Sequence, residues 1–332
     1  MSKDLLVNLQ DIIDAKKVIA DHVYHTPLIS LKNLNYPRNM NLYFKAEVFQ
    51  KIGSFKLRGV LNKFHNLTEE EKKQGIITIS AGNHAQSLAY AASLLGIQAV
   101  VIMPPYSAKN KIKATKSYGA EVIMQESGKG LMDQCREIME ERELTMVHPF
   151  DDPFIIAGQG TIGLEIYEDI EGVPDVVVVP VGGGGLISGI ATAIKLKKPR
   201  IKVIGVEPFG ANAMYQSIRK NSIVSLSKID TIADGLAAPF AGKYTLAHVK
   251  EYVDDIVLVS DGEILEALRL LLLQGKILTE PAGAAGFAAL LSKKIQVPQE
   301  SQVICVLSGG NVDTSLLKSV ITSTNSNNTE EN

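Results

Sequence analysis

The run Val176-Val177-Val178-Val179-Pro180-Val181-Gly182-Gly183-Gly184-Gly185-Leu186 decides how this chain is read. Consecutive valines without polar alternation form a strand buried on both faces, the habit of a parallel sheet. Four glycines then leave the backbone bare, and a helical pattern over residues 186–195 begins directly behind them. Successive N–H groups at a helix start point at one spot and share the partial positive charge of the helix dipole, so the segment is a phosphate cradle. A flexible turn is the plainer alternative, but a turn has no need of four glycines, each of which weakens local order. No Gly-Lys-Ser/Thr ending follows, so P-loop magnesium-nucleotide chemistry is not expected.

Outward from this run the same rhythm continues. Strands are expected at residues 175–179, 201–206, 256–259 and 303–307, and helices at 162–170, 263–274 and 282–291. An earlier unit alternates strands at 76–79, 99–103, 121–124 and a short one ending at Val147 with helices at 85–95, 107–118 and 131–142. An amphipathic helix at 8–23 precedes both. The expected fold is α/β: two open, twisted, mostly parallel sheets flanked by helices. A large domain takes residues 1–68 and 152–322, and a small mobile one takes 75–150 with the substrate loop. The Ser/Thr/Asn/Glu-rich tail at 323–332 is expected to be disordered.

With 332 residues, 45% hydrophobic and 21% charged, the chain has material for a large core or two. A formal net charge of −2 argues against nucleic acid held by phosphate neutralisation, and the absence of Trp argues against a stacking platform. Cys135 and Cys305 lie far apart without C-x-x-C spacing and read as buried thiols of a reducing compartment. The N-terminus forms no signal-peptide core and no apolar run suits a membrane span, so a cytoplasmic protein is expected.

Two further strand ends carry chemistry. Ser80-Ala81-Gly82-Asn83-His84 follows a strand and opens a helix, where Ser80, Asn83 and free N–H groups suit a carboxylate or a ring hydroxyl, or simply cap the helix. Ser308-Gly309-Gly310-Asn311 follows the last strand, and its hydroxyl suits a ring nitrogen, or the segment is only a turn. Gly158-Gln159-Gly160-Thr161-Ile162-Gly163 has dinucleotide-like spacing but no preceding strand, and reads as a helix with close-packed glycines. A nicotinamide dehydrogenase would rest on that spacing alone. Lys56, in Gly53-Ser54-Phe55-Lys56-Leu57-Arg58-Gly59, would pass for a surface lysine on its own segment, although Phe55 offers an apolar neighbour that lowers an amine pKa. No metal-ligand spacing involves the histidines. A phosphate cradle, a carboxylate pocket, a ring-nitrogen partner and an amine together suit pyridoxal phosphate and an amino acid.

These motifs, with Ala157-Gly158-Gln159-Gly160-Thr161, resemble the serine/threonine dehydratase and serine racemase family, among the tryptophan-synthase β-subunit-like, fold-type II pyridoxal phosphate enzymes. The likeness runs in unbroken order from about Asp11 to Val320. It implies a cofactor site in the cleft between large and small domains, with Lys56 as Schiff-base anchor and α-proton base. It also implies Phe55 near the ring and Asn83 at the ring hydroxyl. Gly182, Gly183, Gly184, Gly185 and Leu186 would hold the phosphate, and Ser308 would meet the pyridine nitrogen. Ser80, Ala81, Gly82, Asn83 and His84 would take the substrate carboxylate. A small hydroxy amino acid is the implied substrate, 2-oxobutanoate or pyruvate plus ammonia the implied products, and a homodimer or homotetramer the implied assembly.

Within the family, serine racemases carry a second serine where this chain has Ala81, which transfers no proton. Phe150 stands where animal racemases typically have asparagine. Glu207 matches the racemase-type cation site and Ala211 offers a carbonyl, but Ala213 replaces an aspartate, so neither a divalent nor a monovalent cation is assigned. The chain ends soon after Val320, and the regulatory domain of biosynthetic threonine dehydratases is not expected. Threonine/serine dehydration is therefore the expected activity. A serine racemase with dehydratase side activity, or a pyridoxal phosphate-binding protein without catalysis, is the alternative.

Overall fold

A computed structural model describes residues 5–322 apart from 35, 37–39, 106, 108 and 129, so the tail expected to be disordered, at 323–332, lies outside the described residues. Along the chain the strands are β1 (Leu28–Ile29), β2 (Met40–Ala46), β3 (Ile76–Ile79), β4 (Ala99–Met103), β5 (Glu121–Met124), β6 (Thr145–Met146), β7 (Val176–Pro180), β8 (Lys202–Pro208), β9 (Asp255–Val259) and β10 (Ser301–Leu307). The helices are α1 (Leu9–Ile19), α2 (Lys56–His65), α3 (Glu69–Gln74), α4 (Asn83–Leu95), α5 (Lys109–Ser117), α6 (Leu131–Arg142) and α7 (Pro153–Asp169). They continue with α8 (Gly185–Lys197), α9 (Ala213–Lys220), α10 (Lys243–Tyr252), α11 (Asp261–Leu273), α12 (Pro281–Leu291) and α13 (Thr314–Thr322).

The strands form two sheets, ordered β1-β2-β10-β7-β8-β9 and β5-β4-β3-β6. Only β1 with β2 is antiparallel; the other pairings are parallel, as the unbroken Val/Ile runs require. In the larger sheet, Cys305 of β10 lies beside both Phe44 of β2 and Val178 of β7. Their C-terminal ends therefore emerge together. The segments that follow, with Lys56, the tetraglycine and Ser308, share one edge, where open α/β sheets bind ligands.

Each sheet is covered on both faces. One core joins α11 and α12 to the larger sheet through Phe44, Phe287, Leu268 and Leu307. The other face meets α7, α8 and α10 through Ile162, Ile190, Val177 and Val306. The small sheet packs on α2 and α4 through Leu57, Phe64, Leu88 and Val101, and its far face covers α6 at Cys135. Both cysteines are free and buried.

α7 corrects the expectation of a helix at 162–170 by starting at Pro153. Asp152 accepts from the N–H groups of Phe154 (2.8 Å) and Ile155 (3.2 Å), and proline suits the first helical position. The dinucleotide-like glycines lie inside this helix and let its neighbours approach closely. A Cβ on Gly158 would meet the Arg58 carbonyl oxygen at 2.6 Å, and one on Gly189 of α8 would meet that of Ile156 at 2.3 Å.

α9, α10 and α13 have no counterpart among the sequence expectations. The first two take their caps from distant residues. Glu207 accepts from Met214 N–H (3.0 Å) and Tyr215 N–H (2.7 Å), and Asp151 from those of Lys243, Tyr244 and Thr245 at 2.8–3.1 Å. Arg58 is fully buried and ties α2 to Glu47 and to Glu165 of α7, while Lys45 of β2 reaches Glu165 and Asp169. Such a closed set of buried charges holds one arrangement, because removing either partner leaves an uncompensated ion.

Candidate active site

The strand ends of both sheets open on one cavity of about 480 Å³, lined by Phe55, Lys56, residues 80–84, Phe150, residues 182–186, Glu280 and Ser308 among others. The structure thus brings every expected cofactor and substrate residue to one cleft. The loops that bear them are stitched together by backbone bonds. Phe55 N–H donates to the Ser308 carbonyl at 3.1 Å, and Gly310 N–H to that of Gly53 at 2.8 Å.

Lys56 is the first residue of α2, and its Nζ donates to the Pro149 carbonyl at 2.7 Å, 5.2 Å from the centre of the Phe55 ring. Desolvation lowers its pKa to about 8, against a smaller upward pull from Glu280. A useful fraction of neutral amine is therefore present near neutral pH, as an imine-forming lysine needs.

In the tetraglycine segment, the N–H groups of residues 182–187 have no acceptor among the described residues; the first bond there is Ser188 N–H to the Gly184 carbonyl. Gly184 has φ +92°, a conformation that side chains rarely adopt. The Phe150 ring lies 2.3 Å from where a Cβ of Gly183 would be, so an aromatic wall holds the loop from behind. His148 and Phe240 extend that wall, with ring centres 4.6 and 5.8 Å from Phe150.

The Ser80 loop satisfies part of each reading. Ser80 Oγ accepts from Gly82 N–H (3.2 Å) and Ala85 N–H (3.3 Å) and so acts as a local cap. The N–H groups of Ala81, Asn83 and His84 have no acceptor among the described residues and remain for an anion. His84 is buried, with Nε2 3.2 Å from the Val147 carbonyl. Burial first, then Lys56, pull its pKa down to about 3, so it is neutral under ordinary conditions.

Sequence reading missed Glu280. It is 2% exposed, and its Oε1 accepts from Asn83 Nδ2 at 2.6 Å. Burial, then Asp234, raise its pKa to about 7. Its place before Pro281 resembles an ordinary helix cap, which leaves no local signal of a role in the cleft.

An unpartnered run of N–H groups, a lysine of lowered pKa and a Ser308 hydroxyl with no partner among the described residues fit the phosphate, aldehyde and ring nitrogen of pyridoxal phosphate. Comparison with known proteins agrees. The family model described as "Pyridoxal-phosphate dependent enzyme" matches residues 19–309. The chain belongs to this family.

Two curated members are close in sequence. The L-threonine ammonia-lyase of Thermotoga maritima is 43% identical over 320 residues, 95% of this chain and 78% of that protein. The catabolic L-threonine dehydratase TdcB of Staphylococcus aureus is 44% identical over 322 residues, 95% and 92% of the two chains. Among solved structures, maize serine racemase superposes with a TM-score of 0.89 at 36% identity, covering 95% of this chain and 97% of its own.

Glu207 is buried and engaged in capping α9, and burial raises its pKa to about 8. Ala211 is buried on the same segment. Among the described residues no group of three or more His, Cys, Asp or Glu is placed to hold a metal. No helix among them is long and apolar enough to cross a membrane.

Proposed function

We propose that this chain is an L-threonine/L-serine ammonia-lyase, which converts a β-hydroxy amino acid to a 2-oxo acid and ammonia. The observation that carries the reading is the convergence of the Lys56 amine, the N–H groups of residues 182–187 and those of Ala81, Asn83 and His84 on one cleft. When bound, pyridoxal phosphate supplies an electron sink for the charge left as an α-proton departs.

The chain's own residues do the rest. The tetraglycine segment and Leu186 bind the phosphate, and the Ser80 loop orients the substrate carboxylate through backbone N–H groups. With the cofactor bound, Phe55 would pack by the ring and Asn83 would meet the ring hydroxyl. Ser308 would offer the ring nitrogen a neutral hydroxyl, which does not favour a protonated ring and so fits loss of the β-hydroxyl. Lys56 Nζ holds the cofactor and takes the α-proton. Ala81, where a second acid or base is needed for racemisation, has only a methyl group. The segment at 75–150, with its own sheet, is read as a small unit that closes over the substrate.

The name of the first curated relative and the likeness to a serine racemase point to different products, and Ala81 favours elimination. The test is to reduce the holoprotein with borohydride, map the label and supply L-threonine. The reading expects a label on Lys56 and 2-oxobutanoate with ammonia. A label elsewhere, or no keto acid, would overturn it.

A further inference from the structure

Asn311 Nδ2 lies between two oxygens. It donates to the Ile52 carbonyl at 2.9 Å and to Asn83 Oδ1 at 2.8 Å. Both of its hydrogens are thus used, and the side of the amide facing Asn83 must be its nitrogen. Asn83 must then present its oxygen to Asn311 and its nitrogen to the other side, where Glu280 Oε1 accepts at 2.6 Å. One Nδ2 hydrogen of Asn83 remains.

Glu280 occupies the N-cap position of α12, yet its side chain caps nothing there. A carboxylate at that position ordinarily accepts from the first N–H groups of its helix. Here it turns into the cleft toward Asn83 instead. Its backbone is fixed by Glu280 N–H donating to the Gly309 carbonyl at 3.0 Å. Neighbouring glycines leave just enough room for the chain of bonds. A Cβ on Gly53 would meet Asn311 Oδ1 at 2.6 Å, and one on Gly309 would meet Glu280 Oε1 at 2.7 Å and Asn83 Nδ2 at 3.2 Å.

We propose that Asn311 and Glu280 are positioning residues that lock the Asn83 amide in one of its two flips, so that its remaining Nδ2 hydrogen serves the cofactor's ring hydroxyl. This rests on the reading of Asn83 given under Proposed function. The orienting signal starts at the Ile52 carbonyl, at the head of the turn that bears Lys56, and ends in the loop that receives the substrate. Asn311→Asp replaces the donor by an oxygen of the same shape, which inverts the preferred flip of Asn83. Glu280→Gln keeps an acceptor oxygen, whereas Glu280→Leu removes it.

The test titrates apoprotein with pyridoxal phosphate and records affinity and the visible absorption band of the loaded protein. Asn311→Asp and Glu280→Leu are each expected to weaken binding about tenfold and to shift the band, with Glu280→Gln within about twofold of the unaltered protein. Asn83→Ala is the reference. Added to it, Asn311→Asp is expected to cause no further loss, because Asn311 acts through Asn83. Unaltered affinity and band in Asn311→Asp, or effects that add in full on Asn83→Ala, would overturn the proposal. If Asn311→Asp fails to fold, the cycle of Glu280→Leu with Asn83→Ala decides by the same criteria. Borohydride labelling of Lys56 in the unaltered protein separates the two claims. Absence of label contradicts the cofactor reading and the proposal with it, whereas a label with an additive cycle contradicts the positioning role alone.

Discussion

The Lys56 amine works where its surroundings disfavour charge. Burial in the cleft takes away water, and its pKa falls to about 8 against a smaller upward pull from Glu280. The fraction of apoprotein able to capture pyridoxal phosphate should therefore rise with pH about a midpoint near 8. A stopped-flow series from pH 6 to 10 checks this, and a midpoint near the ordinary lysine value would show that the amine is solvated. The sign for stability is the same: the folded amine loses its proton at a lower pH than the unfolded one. Lys56 thus penalises the folded apoprotein below about 8, and the penalty fades as pH rises toward the ordinary lysine value. In the heptapeptide around Lys56 only Phe55 hints at this; the rest resembles an exposed helix start. Downstream glycines made it a candidate, and only the packed cleft accounts for the shift. Glu280 gave no signal at all, since its partners, Asn83 and Gly309, come together through the fold.

At the scale of elements, local rules were enough where caps and periodicity are local. β4 and β5 have the bounds expected of them, and α8 begins at the end of the tetraglycine segment as its dipole role requires. They failed where the partner is remote. α10 is capped by Asp151 and α9 by Glu207, so the carboxylates that take the first N–H groups of both helices lie outside them. In α7 the close-packed glycines read from the sequence are contact points, and only the start of the helix, at Pro153, differs from the expectation. Gly158→Ala should lower stability by about 1–3 kcal/mol, because the added methyl meets the Arg58 backbone rather than a flexible side chain. Urea unfolding measures it. An unchanged midpoint would mean that α2 and α7 have room to separate.

The whole molecule sets two mostly parallel sheets so that their strand ends share a cleft, and this arrangement gives the motifs their meaning. The existence of two α/β units was legible in the valine and isoleucine runs. That the Ser80 loop of one unit meets Lys56, the tetraglycine and Ser308 of the other was supplied by family likeness, since no local pattern encodes a contact between sheets. Within that cleft the proposed activity turns on Lys56 and Ala81: on that reading the amine moves a proton, and a methyl group cannot. The direct measurement is the yield of pyruvate and of D-serine from L-serine, in the unaltered protein and in Ala81→Ser. The account predicts pyruvate in large excess for the unaltered protein and a clear rise of D-serine in the variant. D-serine as the main product of the unaltered protein would contradict it.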